Sequence, residues 1–271
     1  MKGCSISSFK KLALDWLQLK GKPALDRLDS PEATEFHRSV IASKPFLKRL
    51  YDSNYRDVLS LRSSSPEGPS IEIGSGFGLI KEHDANLVTS DICFMPGLDV
   101  VFDATHLPFA PNSINSFVLT NSLHHLSDVE SFLGEAARCL MPGGRICILD
   151  SANTPWSRFV LKNFHHEPFD ETAGWKIESG GRLTHANQAL SWIVFSRDRA
   201  RFEKLFPSLK IRSSHSYQSF RYVASGGFSI RQLVPDFFYL PLALLEKILC
   251  LGPLSRIFGF YQLIEIERKA L

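Results

Sequence analysis

Apolar residues are spaced along the middle of the chain in a way that predicts alternating strands and helices. Short apolar runs predict buried strands, and residues 127–140 place Val129 and Phe132 on one face of an amphipathic helix. The predicted strands are residues 70–73, 86–91, 98–102, 116–121 and 145–150. This alternation is typical of an α/β fold with a doubly wound, mostly parallel sheet.

Two helical segments are predicted ahead of this sheet. Residues 6–20 carry apolar positions at helical spacing among lysines, and residues 31–61 form a longer stretch that Pro45 is expected to interrupt. The serine-, proline- and glycine-rich stretch that follows predicts a loop. We therefore divide the chain into an N-terminal helical extension, residues 1–65, and a main domain, residues 66–271.

The C-terminal part of the chain is less regular. The helices predicted there are residues 186–205 and 229–250, and the strands are residues 209–214 and 260–267. Two stretches, about 151–208 and 220–258, are expected to be insertions that cover a substrate.

Residues 230–260 are more apolar than one buried helix face requires. The longest apolar run, residues 237–245, is ended by Glu246 and Lys247 and falls short of the about 20 residues that span a membrane. We predict that this segment forms a helical lid over a pocket and favours a substrate with a large apolar part. The alternatives are a lid packed wholly on its own domain and a peripheral contact with a membrane surface.

Composition and charge exclude several classes of protein. The chain has 271 residues, of which 44% are hydrophobic and 22% charged, as in ordinary globular proteins. The formal net charge is +3 and basic residues are scattered among acids, so no nucleic-acid partner is expected. The five cysteines are odd in number and lack a C-x-x-C spacing. They argue against a disulfide framework and a zinc site, and they favour a cytoplasmic location.

The strongest candidate for chemistry is the sequence Glu-Ile-Gly-Ser-Gly-Phe-Gly at residues 72–78, directly after a predicted strand. Glycines allow a tight turn and a close approach of a ligand, and the N–H groups of a following helix face that ligand. The third small residue of the dinucleotide pattern G-x-G-x-x-G is replaced here by Leu79. Glu72, two residues before Gly74, would repel a pyrophosphate but attract an ammonium group. The sequence therefore indicates a ligand with a cationic amino-acid end, and a plain β–α turn is the alternative.

Polar residues follow the next three predicted strands as well. Asp91 ends the second strand, where a carboxylate can accept hydrogen bonds from a ribose. Asp103 follows the third strand, where it could accept the amine of an adenine, and Asn121 follows the fourth. Each residue alone is equally typical of a turn or a helix cap. Because ligands of open α/β sheets bind outside these strand ends, their order favours a single site.

Over residues 69–150 these pieces resemble the class I S-adenosylmethionine-dependent methyltransferases, in the small-molecule, type 11-like branch. The matching pieces are residues 72–78, Asp91, residues 103–109, residues 121–125 and residues 140–144. The resemblance implies S-adenosylmethionine as the cofactor. It also implies a Rossmann-like sheet of seven strands, the last of which, residues 260–267, is antiparallel.

The resemblance also implies which residues bind the cofactor. Glu72, Gly74 and Gly76 would hold the methionine end, and Ser75 and Gly78 would complete the glycine turn. Asp91 would bind the ribose, and Asp103 and Ala104 would bind the adenine. Asn121 and Ser122 would line the sulfonium side. The chain departs from the family in a short helix after the glycines and an atypical loop at residues 92–97. It also lacks the [DN]-P-P-[FY] pattern of relatives that methylate nucleic-acid and protein amino groups.

Two histidine pairs are candidates for the acceptor side of the site. His124 and His125 lie closest in sequence to the expected methyl position, and either could remove a proton from an oxygen acceptor. The alternative for this pair is structural packing at the entry of a helix. His165 and His166 begin the sequence His-His-Glu-Pro-Phe-Asp after the fifth strand and are expected to contact the substrate. They lack a clear third ligand, so no metal site is expected.

The predicted function is methyl transfer from S-adenosylmethionine to a small-molecule or lipid-linked acceptor. One alternative is a nicotinamide-dependent oxidoreductase on the same sheet, against which Glu72 and Leu79 argue. The other is a non-catalytic partner subunit of methyltransferase fold, against which the acids Glu72, Asp91 and Asp103 argue.

Overall fold

The computed structural model describes residues 17–21, 23, 30–62, 66–177 and 186–270. Its centre is a seven-stranded sheet. The strands are β1 (Ser70–Ile73), β2 (Val88–Asp91), β3 (Val100–Val101), β4 (Ile114–Thr120), β5 (Leu140–Ser151), β6 (Leu209–Tyr217) and β7 (Tyr261–Arg268). Their spatial order is β3-β2-β1-β4-β5-β7-β6. Strands β1 to β5 are parallel, and β7 is antiparallel to both of its neighbours. The doubly wound, mostly parallel sheet and its antiparallel last strand are confirmed.

Helices flank this sheet. The main helices are α1 (Pro31–Ser43), α2 (Pro45–Leu59), α3 (Val129–Cys139), α4 (Pro155–Phe164), α5 (Arg199–Leu205), α6 (Arg221–Ser225) and α7 (Tyr239–Leu249). Short 3-10 turns lie at Leu79–Glu82, Leu123–His125, Asp236–Phe238 and Gly252–Leu254, and further helical turns lie at Leu190–Trp192, Ile193–Arg197 and Ser255–Phe258.

Three helix starts follow from the local sequence. Ser30, Asp128 and Thr154 each accept a hydrogen bond at the N-terminus of α1, α3 and α4 from a backbone N–H three residues later. Pro occupies an opening position of α1, α2 and α4, where its missing N–H costs nothing. The break that Pro45 predicts lies at Lys44, between α1 and α2.

The core lies on the central strands. β4 is buried along almost its whole length, and its Phe117 meets Phe132 of α3 edge to face with ring centres 6.3 Å apart. Helix α2 adds Phe46, Leu47 and Leu50, all fully buried. The N-terminal helices therefore share the hydrophobic core of the sheet.

Several predicted elements differ in the structure. Of the predicted helix 6–20, residues 6–16 lie outside the described residues, and Gln18 forms an antiparallel bridge with Ile230. The helix predicted at 229–250 begins only at Tyr239, because Pro235 and a 3-10 turn precede it. The helix predicted at 186–205 is interrupted by the π-helical turn Ile193–Arg197. Helix α4 was not predicted.

The parallel strands end at one edge of the sheet. Ser151 at the end of β5 lies opposite Tyr261 at the start of β7, so β7 begins where β5 stops. This edge, which we call the carboxyl edge, gathers the residues that follow β1, β2, β4 and β5.

Candidate functional site

The glycine turn at the end of β1 requires glycine for two separate reasons. Gly74, Gly76 and Gly78 have φ values of +73°, +57° and +71°, in the left-handed region. A Cβ atom at Gly74 would also lie 2.7 Å from the Cβ of Ser122. Ser122 in turn donates a hydrogen bond of 2.7 Å to the carbonyl of Ile73. The turn after β1 is thus packed directly against the end of β4.

Glu72 is a buried acid with an unused oxygen. Its Oε2 has no hydrogen-bond partner within the described ranges, and its side chain is almost wholly buried. Burial raises the pKa of Glu72 to about 8. A cationic group arriving beside this carboxyl would restore its charge, so the residue suits the ammonium group of an amino-acid ligand.

The other predicted cofactor residues lie at the same edge. Asp91 is buried, and its carboxylate accepts hydrogen bonds from Gly76 N–H at 3.0 Å and Cys93 N–H at 3.3 Å. Asp103 is exposed and holds an Asx turn with Thr105 N–H at 2.8 Å. The loop carrying Asp103 and buried Ala104 joins β2 through the bond from Phe102 N–H to the carbonyl of Asp91. Glu72, Asp91 and Asp103 lie at or near the ends of β1, β2 and β3, which are neighbours in the sheet, so they lie side by side along the carboxyl edge.

A cavity of about 180 Å³ lies at the carboxyl edge. It is lined by His37, Tyr51, Asn121, His124, His125, Ser151, Leu161, His165, His166, Glu167, Gln188, Tyr222, Phe228, Ser229, Phe260 and Tyr261. Asn121 lines this cavity and directly follows β4, so it joins the cavity to the carboxyl edge. It adopts a left-handed φ of 53°. All four predicted histidines share this cavity, although the two pairs are about forty residues apart in sequence.

His124 is held by carboxylates on both sides. Its Nδ1 lies 2.5 Å from Asp150 Oδ1, its backbone N–H donates to Asp150 Oδ2 at 3.1 Å, and its Nε2 lies 3.4 Å from Glu167 Oε2. Burial lowers the pKa of His124, but the charges of Asp150 and Glu167 outweigh it and raise the pKa to about 10.

The amide of Gln188 also reaches this ring. Gln188 Nε2 lies 3.0 Å from His124 Nε2 and donates to Glu167, while Ser151 donates to Gln188 Oε1. An amide N–H at Nε2 favours a neutral ring, whereas the two carboxylates favour the imidazolium. Charge is the stronger effect at these distances, so the His124 imidazolium donates through Nδ1 to Asp150 and faces Glu167 with Nε2.

Glu167 is the centre of the histidine cluster. His125, His166 and His165 place a ring nitrogen 3.7, 3.6 and 3.9 Å from its carboxylate oxygens. Burial raises the pKa of Glu167, but hydrogen bonding and charge from His124 outweigh it and hold the pKa well below its ordinary value. His124, His125 and Glu167 can place ligand atoms within 4.8 Å of one another, a set that could also hold a metal ion.

Comparison with known proteins identifies this edge. Residues 71–148 match the family model described as a methyltransferase domain. The chain is 32% identical over 80 residues to a demethylmenaquinone methyltransferase of Beutenbergia cavernae, and 38% identical over 56 residues to the ubiquinone/menaquinone biosynthesis C-methyltransferase UbiE of Cereibacter sphaeroides. These matches cover 29% and 21% of this chain. Residues 71–148 therefore form a methyltransferase domain of the class I S-adenosylmethionine-dependent type.

The fold comparison extends over most of the chain. Phosphoethanolamine N-methyltransferase 2 of Haemonchus contortus, solved with S-adenosyl-L-methionine, aligns with a TM-score of 0.50 at 12% identity. The alignment covers 93% of this chain and 61% of that one, and it concerns the fold alone. The chain spans 31% and 22% of the length of the two curated relatives. S-Adenosylmethionine is the cofactor of this family, and the unused oxygen of Glu72 fits its ammonium group.

The sequence did not single out half of the methyltransferase cavity. Asp150 was recognisable only as the end of a strand, and Gln188 carries no motif. Tyr51 and His37 come from the N-terminal helices, and Tyr222 comes from α6. A systematic check of polar residues at every strand end would have found Asp150 but not the others.

Lys44 explains how one wall of the methyltransferase cavity is fixed. Its buried Nζ donates to the carbonyls of Ser225, Gly227 and Ile230, the first at 3.3 Å and the second at 2.7 Å. Burial lowers the pKa of Lys44 to about 8. The lysine thereby ties the junction of α1 and α2 to the loop that carries the lining residues Phe228 and Ser229.

The predicted lid requires a correction. Of residues 230–260 only Phe260 lines the cavity, and Phe237, Phe238 and Leu242 do not. The segment leaves the site because α7 turns one face to α6 and the other outward. The cavity is instead covered by α1 and α2, which the sequence did not assign to the site, and by residues 222–229, which belong to the predicted insertion 220–258.

Proposed function

We propose that this methyltransferase methylates a hydroxyl-bearing aromatic ring that carries an apolar tail. The observation that carries the proposal is the buried chain Asp150–His124–Glu167, which lies in the same cavity as Asn121 of the cofactor edge. Such a chain can take up the proton that a hydroxyl must lose before it becomes a nucleophile.

S-Adenosylmethionine, when bound, supplies an electrophilic methyl group. Glu72 would hold its ammonium group and Asp91 its ribose, while the glycine turn lets the backbone come close to it. The room at Gly76, where an added Cβ would meet no atom within 4 Å, supports this placement. The acceptor side must then present its oxygen in line with the methyl–sulfur bond, which is mainly a matter of positioning.

The chain of three side chains would manage the acceptor proton. Once His124 is neutral, its Nε2 would receive the hydroxyl proton, and Glu167, 3.4 Å from that nitrogen, would stabilise the imidazolium that forms. Asp150 orients the ring through Nδ1 and stabilises its positive charge, as the third member of a catalytic triad does. The ionised oxygen would then be the nucleophile for the methyl group, with S-adenosylhomocysteine as the leaving group, and the proton would remain on His124 until solvent removes it.

The size and lining of the cavity support an aromatic acceptor. A volume of about 180 Å³ is close to the roughly 150 Å³ of an engineered protein cavity that accepts benzene. Its walls include the rings of Tyr51, Tyr222, Phe228, Phe260 and Tyr261. The named relatives act in quinone biosynthesis, which also favours a ring with a lipid tail. A long tail does not fit in this volume and would have to leave the cavity.

The location that follows from such an acceptor is the cytoplasmic face of a membrane. A lipid-linked ring is presented at the bilayer surface, so we propose a peripheral association there. The small-molecule acceptor itself is the partner, and no role for nucleic acid is proposed.

Calorimetry and a transfer assay test the proposal. The protein should bind S-adenosylmethionine and S-adenosylhomocysteine, and should transfer labelled methyl to hydroquinones with short prenyl tails faster than to hydroquinones without tails. Absence of binding would contradict the cofactor assignment. Binding without transfer to any hydroxylated ring would instead favour the non-catalytic partner subunit.

Asp91→Ala separates cofactor binding from folding. One hydrogen bond to a charged group contributes about 1.5–3 kcal/mol, so we expect roughly 10- to 150-fold weaker binding of S-adenosylhomocysteine by calorimetry. Glu130→Ala, at an exposed acid paired with Arg201, is the control and should bind as the unaltered protein does. Equal affinity of a folded Asp91→Ala protein would show that the ribose lies elsewhere.

A further inference from the structure

Helix α7 exposes an apolar face to solvent, which is the reverse of the usual orientation of a helix on the surface of a soluble protein. Leu240, Leu244 and Ile248 recur every four residues and are each about 60% exposed. A surface helix normally places its apolar stripe on the core and its charges in water. Here the outward stripe is aliphatic, so something apolar is needed to cover it.

The inward face of α7 carries polar groups that anchor it. Glu246, which is 2% exposed, accepts hydrogen bonds from the backbone N–H groups of Ser219, Phe220 and Arg221 at 2.6–2.9 Å. Arg221 also donates to Glu246 Oε2 at 2.5 Å and to the hydroxyl of Tyr239 at 2.8 Å. These charge-assisted bonds fix the rotation of the helix, so the exposed stripe is a built feature of the native fold.

The exposed apolar side chains are concentrated around this helix. Ten of the sixteen large apolar side chains that are exposed in the described ranges lie between residues 233 and 257. We call residues 236–258 the apolar hairpin. Its exposed members besides the α7 stripe are Phe237, Phe238, Leu245, Leu251, Leu254 and Ile257. Soluble monomers rarely expose a continuous patch of this kind without a function.

The helices of the hairpin are individually short, and the hairpin is sharply bent. In the part of the chain that the structure describes, no single helix is long and apolar enough to span a membrane. The helical stretches Asp236–Leu249 and Gly252–Phe258 reach the required length and composition only as a pair, and they are bent by 108°. The eleven residues of α7 extend about 16 Å, roughly half of a hydrocarbon core of about 30 Å. Its length and bend fit one leaflet.

We propose that the apolar hairpin inserts into one leaflet of a lipid bilayer with an anionic surface. Charge favours this occupant over a second protein. Lys247 and Arg256 are exposed on the hairpin and can reach headgroups, whereas the acid Glu246 is buried on the protein side. The other acid, Asp236, lies at the beginning of the hairpin and accepts a hydrogen bond from Gln232. Basic residues flanking an apolar surface are typical of interfacial helices.

The hairpin is continuous with the cavity walls at both ends. Phe260, two residues after the hairpin, lines the cavity and is fixed by bonds to the carbonyl of Gln218 and from Ala152 N–H. Glu246 holds the start of α6, whose Tyr222 lines the same cavity. A membrane-bound hairpin would therefore place the cavity near the bilayer surface. Insertion itself does not depend on methyl transfer and can be measured without cofactor.

Vesicle flotation of the full chain tests insertion. The protein should float with vesicles of phosphatidylcholine mixed with phosphatidylglycerol, and several-fold less with phosphatidylcholine alone. The variant L240Q/L244Q/I248Q should bind at least tenfold less to both. Leu244→Gln and Leu205→Gln form a matched pair, because Leu205 is also exposed but lies on α5. Only the first should lower the partition coefficient.

A second measurement locates the inserted residues. Tryptophan placed by Leu244→Trp should be quenched by vesicles of brominated lipid, and tryptophan placed by Leu205→Trp should not. Equal flotation of the triple variant and the unaltered protein would overturn the proposal. A second result would also overturn it: the unaltered protein does not bind vesicles but forms a dimer in lipid-free solution, and the triple variant does not form this dimer. A second copy of the protein would then cover the stripe. Hydroquinone methylation is not part of this test, so its failure leaves the result intact.

Discussion

The charge of Asp150 should control the proton affinity of His124. The pKa of His124 stands at about 10, against 6.5 for an unperturbed histidine, and the difference corresponds to about 5 kcal/mol. Asp150 and Glu167 supply this difference against the cost of burial, and Asp150 is the nearer at 2.5 Å. Asp150→Asn keeps an oxygen for Nδ1–H but removes the charge. We expect the pKa of His124 to fall by about two units, or about 2.7 kcal/mol.

The pH dependence of the rate shows whether this happens. The side chains of Asp150, His124 and Glu167 can accept a proton only after His124 has released its own. The rate of the unaltered enzyme should therefore rise with pH toward about 10. In Asp150→Asn this limb should lie at lower pH and level off at a lower rate, because the base is weaker. NMR titration of the His124 imidazole gives the same pKa without turnover. Asp170→Asn, at an exposed acid nearby, is the control and should leave the limb in place.

Two results would refute this account of His124. An unchanged limb in a folded Asp150→Asn enzyme would show that another group takes the proton. Loss of activity on treatment with a chelator, with recovery on adding a divalent metal, would show that the histidine–glutamate set binds a metal ion instead.

Two further predictions concern the cofactor edge. Burial raises the pKa of Glu72 in the folded protein to about 8, so its contribution to stability is complete below pH 4.5 and is lost as the pH rises to 8. The free energy of unfolding should therefore fall by about 2–3 kcal/mol between pH 6 and 8. Glu72→Gln should flatten this fall in denaturant titrations and weaken S-adenosylmethionine binding; an unchanged slope would count against a buried, neutral Glu72. Gly74→Ala should lower the unfolding free energy more than Gly76→Ala, because both strain a left-handed residue by about 1–2 kcal/mol but only the first meets Ser122. Equal losses would mean that β4 yields at Ser122.

The gathering of the proposed cofactor residues at one edge of the sheet could be predicted from the sequence because its signals are local. The glycines of residues 72–78 are required by backbone angles that a few neighbours determine, and Asp91 ends its own strand. Parallel strands then bring these ends together without further information. The prediction needed only the approximate order of the strands. Small errors in strand ends, such as 86–91 for Val88–Asp91, did not change which residues lie at the edge.

The arrangement of the histidine-lined cavity could not be predicted because its contacts join distant parts of the chain. His124 meets Asp150, Glu167 and Gln188, which are 26, 43 and 64 residues later in the sequence. No periodic pattern relates these positions. The sequence identified the two histidine pairs as candidates by residue type. It did not show that Glu167 lies between them, because that contact forms only when α4 returns the polypeptide to the carboxyl edge.

The apolar segment was recognised from its composition, but its place was wrong because composition gives no rotation for a helix. Counting apolar residues in α7 suggests a helix sunk in the protein. The rotation is decided instead by Glu246, whose burial would be costly without the three N–H groups and Arg221 that it meets. With that carboxylate on the protein side, Leu240, Leu244 and Ile248 face outward. A single buried charge therefore converts a predicted lid over the cavity into an exposed surface beside it.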